Sequence, residues 1–332
     1  MLKALLPILC LFVLSPLVAE YLSGSLPAAM ITILPLMAAM YGSAALLIRE
    51  IAVRTRGGWP AIVLLGAAYG FVEEGWVDQS LFNPDFQHLR LLDYGYVAAL
   101  GTGLPWLIYV IAIHVVWSIA TPIALTNCLF PARRQEPWLA RWGMALFALL
   151  YFASSAAVAR FSYQSSHFFA TQAELVATGI LIVALVAAAL LSPRWRKGQP
   201  SEDAPAAPLL FVFGFVPGAL LVGIVYFGRS ALHLAWQPLV AILILVGAMS
   251  AAALVVLQHR HWSSTQYFAL TAGLILVYLV SGFLTAFTLH GAADLPGHLA
   301  FALICVAALG LAWRASAYAI GRADRDPEQL RS

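Results

Sequence analysis

About ten stretches of roughly twenty mostly apolar residues, joined by short polar segments, leave this chain few ways to fold. Crossing the hydrocarbon of a bilayer takes roughly 20 apolar residues as a helix. The stretches lie near 4–22, 27–48, 59–80, 104–128, 143–160, 173–192, 209–228, 237–257, 265–289 and 298–318. The bulk numbers agree: 62% of the residues are hydrophobic, 10% are charged and the mean hydropathy is +0.87, values foreign to an ordinary soluble domain. The expected fold is all-α, a polytopic membrane protein built as a bundle of about ten transmembrane helices.

Lys and Arg accumulate in loops that stay cytoplasmic, so their distribution predicts orientation. Lys3, Arg49, Arg54, Arg56, Arg133, Arg134, Arg141, Arg194, Arg196, Lys197, Arg260, Arg314, Arg322, Arg325 and Arg331 make 15 of 18 on one side, against Arg90, Arg160 and Arg229 on the other. Both termini are expected to be cytoplasmic, in a multi-pass protein of the cell membrane. The net charge of +3 is then topology information rather than a nucleic-acid patch. The first apolar stretch lacks a small residue at the position of Leu17, which a signal-peptide cleavage site would need, so it is expected to stay as a span. Cys10, Cys128 and Cys305 lie singly in apolar stretches and suggest neither a disulfide frame nor a thiolate metal site. Ser192 to Pro208, rich in Pro and charge, reads as a cytoplasmic linker. The expected organisation is a six-helix region over 1–192, a linker over 193–208, and a four-helix region with a cytoplasmic tail over 209–332.

Against this apolar background the polar exceptions stand out. Glu73 and Glu74 sit side by side in the helix expected over Trp59–Phe82. A carboxyl at membrane depth costs a few kcal/mol, which calls for a compensating use. Residues four apart share a helix face, so Gly66, Gly70, Glu74 and Asp78 form a stripe, small in its lower half and acidic in its upper half. Two glycines allow another helix to come close. The helix runs outward, which puts the acids in the outer half of the membrane. In the next helix His114, Ser118 and Thr121 share a face. A rise of about 1.5 Å per residue puts His114 near the midplane and Glu74 roughly one turn above it, so adjacent antiparallel helices can join them.

Other polar groups are less pointed. Tyr278, Ser281, Thr285 and Thr288 form a stripe leading to His290, Asp294 and His298. His290 and Asp294 have metal-ligand spacing if helical, but Gly291, Pro296 and Gly297 argue for a turn. Arg160 reads as an interfacial anchor, a partner for Glu174 or a neutralising charge for one of the acids. The loop Phe82–Gly103, starting Asn83-Pro84-Asp85, would lie in the interface as a lid or an anchor. Arg49, Glu50 and Tyr41 give helix two a polar inner end.

Two carboxyls close together in low dielectric cannot both ionise cheaply, so the pair keeps a proton and suits acid/base work. With His114 the group can activate a water, with or without a divalent metal, to hydrolyse an amide or ester presented from the lipid. Asp78, Ser118 and Asn83 are the expected supporting residues. The Glu73-Glu74 pair followed by Val110-x-x-x-His114 resembles the CAAX-type intramembrane protease superfamily, which carries Glu-Glu-x-x-x-Arg and then Phe-x-x-x-His on the following helix. The likeness covers about 60 residues. Asp78 stands at the Arg position, Val110 stands at the Phe position, and the downstream His motif has no clean match. The resemblance implies that Glu73 or Glu74 is the water-activating base and His114 its partner, acting on a membrane-embedded peptide or lipid-like substrate.

Three functions fit these residues: a membrane hydrolase, a proton- or ion-coupled carrier, which would need a water path to the cytoplasmic side, and a non-catalytic scaffold. The scaffold reading expects both acids to be fully tied up by protein donors.

Overall fold

A computed structural model describes residues 2–195 and 202–323. Nine helices among the described residues are long and apolar enough to cross a membrane. In chain order they are α1 (Ala4–Leu22), α2 (Ala28–Arg54), α4 (Leu104–Leu129), α5 (Arg141–Ser166), α6 (Gln172–Leu191), α7 (Ala207–Phe227), α8 (Trp236–Leu257), α9 (Ser264–His290) and α10 (Ala292–Tyr318). A tenth rod, α3, runs over 58–77 and carries the glutamate pair. The protein is thus an all-α membrane bundle. The only strands among the described residues are two-residue bridges: Tyr96–Val97 with Thr102–Gly103, and Glu202–Asp203 with Arg260–His261. Of the expected linker, 196–201 lie outside the described residues, and so do Arg325 and Arg331 of the tail.

Local chemistry sets the helix ends. Thr171 and Ser263 open α6 and α9 with capping boxes, each hydroxyl accepting from the backbone N–H of Glu174 or Gln266 while that residue's side chain reaches back. This capping explains Glu174, which is thereby spent on its own helix rather than on Arg160. Gly291, at φ +79°, ends α9 and interrupts the helical register between His290 and Asp294. His290 then bonds Ser25 O at 2.9 Å, and Asp294 accepts from Ala28 N at 2.8 Å. The two residues are structural ties to the joint between α1 and α2.

Two large apolar clusters fill most of the bundle, and a small third one of Leu17, Tyr21 and Phe301 ties α1 to α10. Of the large ones, the first joins α1, α2, α3 and α4 with Trp138 and Leu139; the other joins α1 and α4 to α7, α8, α9 and α10. Helices α1 and α4 therefore form the seam. Trp117 of α4 is fully buried, stacks on Tyr278 at 4.6 Å and donates to Leu274 O at 2.9 Å. The stripe on α9 is used in the same way, with Thr285 bonding Tyr226 at 2.7 Å. In a membrane, association relies on close backbone approach at small residues. A Cβ at Gly214 would come within 2.5 Å of Leu270 O, and one at Gly273 within 2.3 Å of Phe211 O, which locks α7 to α9.

Prolines in α1 and α4 shape the seam. Pro16 has no N–H for Phe12 O, and that carbonyl faces Gly42 of α2, where a Cβ would lie 2.1 Å away. Pro122 likewise leaves Ser118 O free, and Ser15 Oγ donates to it at 2.7 Å. Both defects hold α1 against its neighbours, just where the polar cluster begins.

Candidate functional site

Four turns of the bundle are wound as π-helix: Leu17–Leu22 in α1, Ala38–Gly42 in α2, Glu73–Val77 in α3 and His114–Ala120 in α4. Such turns hold one extra residue and often mark functional sites. Each contributes polar side chains to one cluster: Glu20, Tyr41, Glu73 with Glu74, and His114 with Ser118. The glycines of α3 bring it there, since a Cβ on Gly70 would lie 3.1 Å from His114 Cβ and one on Gly66 3.3 Å from Val115 Cα.

The imidazole lies between the two carboxylates. His114 Nε2 is 2.7 Å from Glu74 Oε1, and Nδ1 is 3.4 Å from Glu73 Oε2 and 3.0 Å from Ser118 Oγ. Glu74 is held at both oxygens, because Ser80 Oγ donates to Oε2 and in turn accepts from Trp106 Nε1 at 3.1 Å. Glu73 is closely held at one only. Its Oε1 contacts Tyr41 Oη, whereas its buried Oε2 makes only the longer 3.4 Å approach to His114 Nδ1, with the Tyr69 hydroxyl also in reach of the carboxylate. Tyr41 Oη also contacts Glu20 Oε1, so a chain runs Glu20, Tyr41, Glu73, His114, Glu74, Ser80, Trp106. Tyr69 borders it, its ring edge-on to His114 and to Tyr41, both at 5.8 Å, with its buried hydroxyl in reach of the Glu73 carboxylate. Glu73, Glu74 and His114 are 2%, 7% and 5% exposed, which sets the group in low dielectric where its electrostatic contacts are strong.

The other expected residues fall differently. Ser118 touches His114. Asp78 does not continue the α-helical stripe: its N–H bonds Glu73 O at 2.7 Å across the widened turn, α3 ends at Val77 rather than near Phe82, and Gln79 takes φ +58°. Its carboxylate faces the pair electrostatically, and no hydrogen bond joins it to them. Asn83 accepts from Asp85 N at 3.0 Å and leaves its amide nitrogen buried and unbonded, so it serves its own loop. That loop reaches the far half of the bundle, where Tyr94 donates to Leu234 O at 2.6 Å. Thr121 is buried with its hydroxyl unpartnered.

Two members of the cluster escape a reading of the sequence alone. Glu20 is the sole acid of the first apolar stretch, the same signal that singles out Glu73. Tyr41 does not belong with Arg49 and Glu50; it turns into the glutamate cluster, while those two build a separate buried network two turns along α2. Among the described residues, no three His, Cys, Asp or Glu side chains are set to hold one metal ion, so the divalent metal considered above finds no ligand set there. An open groove of about 450 Å³ runs along the outside of the same α3 turn, lined by Trp76, Gln79, Phe169, Leu175, Val176 and Gly179.

No curated protein and no solved structure matches this chain. A family model does match, and it brings no relation to the CAAX-type proteases, so that resemblance stands on its two short motifs. The match spans residues 9–323, nearly the whole length, and the protein therefore belongs to an uncharacterized membrane protein family.

Proposed function

We propose that the protein is a membrane-embedded hydrolase in which Glu73 is the base. The observation that carries this is the asymmetry of the pair around one imidazole: both Glu74 oxygens are closely bonded, whereas Glu73 Oε2 has only a longer approach of 3.4 Å to His114 Nδ1. A general base needs an oxygen open to its proton donor, and an orienting carboxylate does not. In this reading Glu74 fixes the imidazole, and Glu73 Oε2 takes a proton from water as the hydroxide adds to the carbonyl carbon of an amide or ester. The proton then passes to the leaving nitrogen or oxygen as the bond breaks, which returns Glu73 to its carboxylate. His114 stabilises the anionic charge that develops beside it. The groove along Trp76 and Phe169, open to the surroundings of the bundle, suits a peptide segment or acyl chain arriving from the lipid.

The test is turnover of quenched fluorescent peptides and lipid esters incorporated into phosphatidylcholine vesicles with the reconstituted full chain. Glu73→Gln is expected to lower turnover by about 10²-fold or more. Glu74→Gln and His114→Ala are expected to lose most activity as well, all three remaining folded. Unchanged turnover in Glu73→Gln would sink the reading. A proton-coupled carrier is the second reading, favoured by the extension of the chain through Tyr41 to Glu20 on another helix. It predicts pH-driven uptake into the same vesicles, lost in the same variants.

A further inference from the structure

Glu20 and Tyr41 have no part in the steps above, yet they are built into the same cluster. A phenol has one proton to donate. Tyr41 Oη touches Glu20 Oε1 on one side and Glu73 Oε1 on the other, so both contacts are hydrogen bonds only if one of the two carboxyls brings a proton of its own. Charge leads to the same conclusion. The titratable groups facing this point are Glu20, Tyr41, Tyr69, Glu73, Glu74, Asp78 and His114, with Tyr21 of α1 and Tyr278 of α9 near Glu20 and Tyr151 of α5 behind Tyr69. Four carboxyls therefore face a single imidazole, and no Lys or Arg is among them. Buried charge without a partner is expensive enough that protons fill the gap. Glu73 and Tyr69 are both deeply buried, with the Tyr69 hydroxyl in hydrogen-bonding reach of the Glu73 carboxylate and His114 Nδ1 3.4 Å from Oε2, so among the described residues no basic side chain other than the imidazole meets this carboxylate.

We propose that Glu20 and Glu73 share one proton across Tyr41, making Glu20 a proton-binding site coupled to the glutamate pair. When Glu73 carries the proton, it passes that proton to Tyr41 Oη while the phenol releases its own to Glu20. Tyr41 stays neutral, the proton count is unchanged, and the negative charge moves from Glu20 to Glu73. Glu73 is thereby a carboxylate again. Glu20 acts through Tyr41 and is a positioning residue in this scheme. The inference deepens the hydrolase reading by giving the base a reservoir, and its test reads protonation rather than turnover.

The experiment is infrared spectroscopy of the carboxylic C=O band at neutral pH on the detergent-solubilised full chain, in H₂O and D₂O. The double variant Glu20→Gln/Glu73→Gln is expected to lose one carboxyl equivalent of that band relative to wild type. Tyr41→Phe should move the band in frequency, because the bridging phenol is gone. An unchanged band in the double variant, a loss of two equivalents, or an unmoved frequency in Tyr41→Phe would each overturn the sharing. Should the double variant not fold, the Tyr41→Phe comparison decides alone. The infrared result with normal turnover in Glu73→Gln would reject the hydrolase and keep the shared proton; the converse would do the reverse.

Discussion

The bundle buries charge twice, and the two places are built on opposite principles. At one end of α2, Arg49 and Glu50 are 1% and 0% exposed, and their groups are closely matched. Glu50 accepts from Arg49, from Arg54 and from Trp138 N; Arg49 donates to the carbonyls of Arg133, Arg134 and Glu136 and lies 3.2 Å over the Trp138 ring. Only Arg49 Nε is left over. Two turns away, the glutamate cluster sets four carboxyls against one imidazole, with no Lys or Arg among them. The first network clamps the 133–139 segment to α2. The second holds groups in an environment that only protons can balance, and such local imbalance is what a reactive site requires.

Mutations should separate the two. Glu50→Ala strands Arg49 in the interior, and a loss of about 3–5 kcal/mol is expected, read as a large drop in the unfolding midpoint in detergent. A small drop would mean that water reaches Arg49 and that the comparison is false. Gly70→Ala adds a methyl 3.1 Å from His114 Cβ, and an overpacking cost of about 1–3 kcal/mol is expected together with reduced turnover. Ser118→Ala removes the hydroxyl at His114 Nδ1, for which about 1 kcal/mol is expected in thermal unfolding. Glu73→Gln should cost least, within about 1 kcal/mol of wild type and of either sign, since an amide removes a charge that the cluster does not need for folding. A Glu73→Gln protein as damaged as Glu50→Ala would put both networks in one class.

Sequence reasoning reaches the bundle and the meeting of Glu73, Glu74 and His114, because a carboxyl in an apolar run and a glycine stripe each act over one helix. It misses what depends on how helices turn against one another. Tyr41 is grouped with Arg49 and Glu50 by nearness in sequence, although a side chain eight positions away points wherever its own turn directs it. Asp78 is put on a stripe with Glu74 by counting 100° per residue, and the wide turn at Glu73–Val77 spoils that count. Glu20 carries the right signal in its own helix, but its partner phenol is on another, and no spacing rule links them. His290 and Asp294 fall out of helical register at Gly291, a break their neighbours already announce.

The four wide turns make the site depend on arithmetic as well as chemistry. Each contains one residue more than an α-helix of the same rise would hold. Removing one residue from 73–77 would let the turn close as ordinary helix, with the helix on either side keeping its faces and the side chains inside the turn changing direction. The Gly66/Gly70 face would still meet α4, while the side chains set by the wide turn would lose their present directions. The cluster is thus encoded in the number of residues in each turn as well as in their identity, so a one-residue deletion inside 73–77 should disturb the glutamate contacts while leaving the packing of α3 on α4 in place.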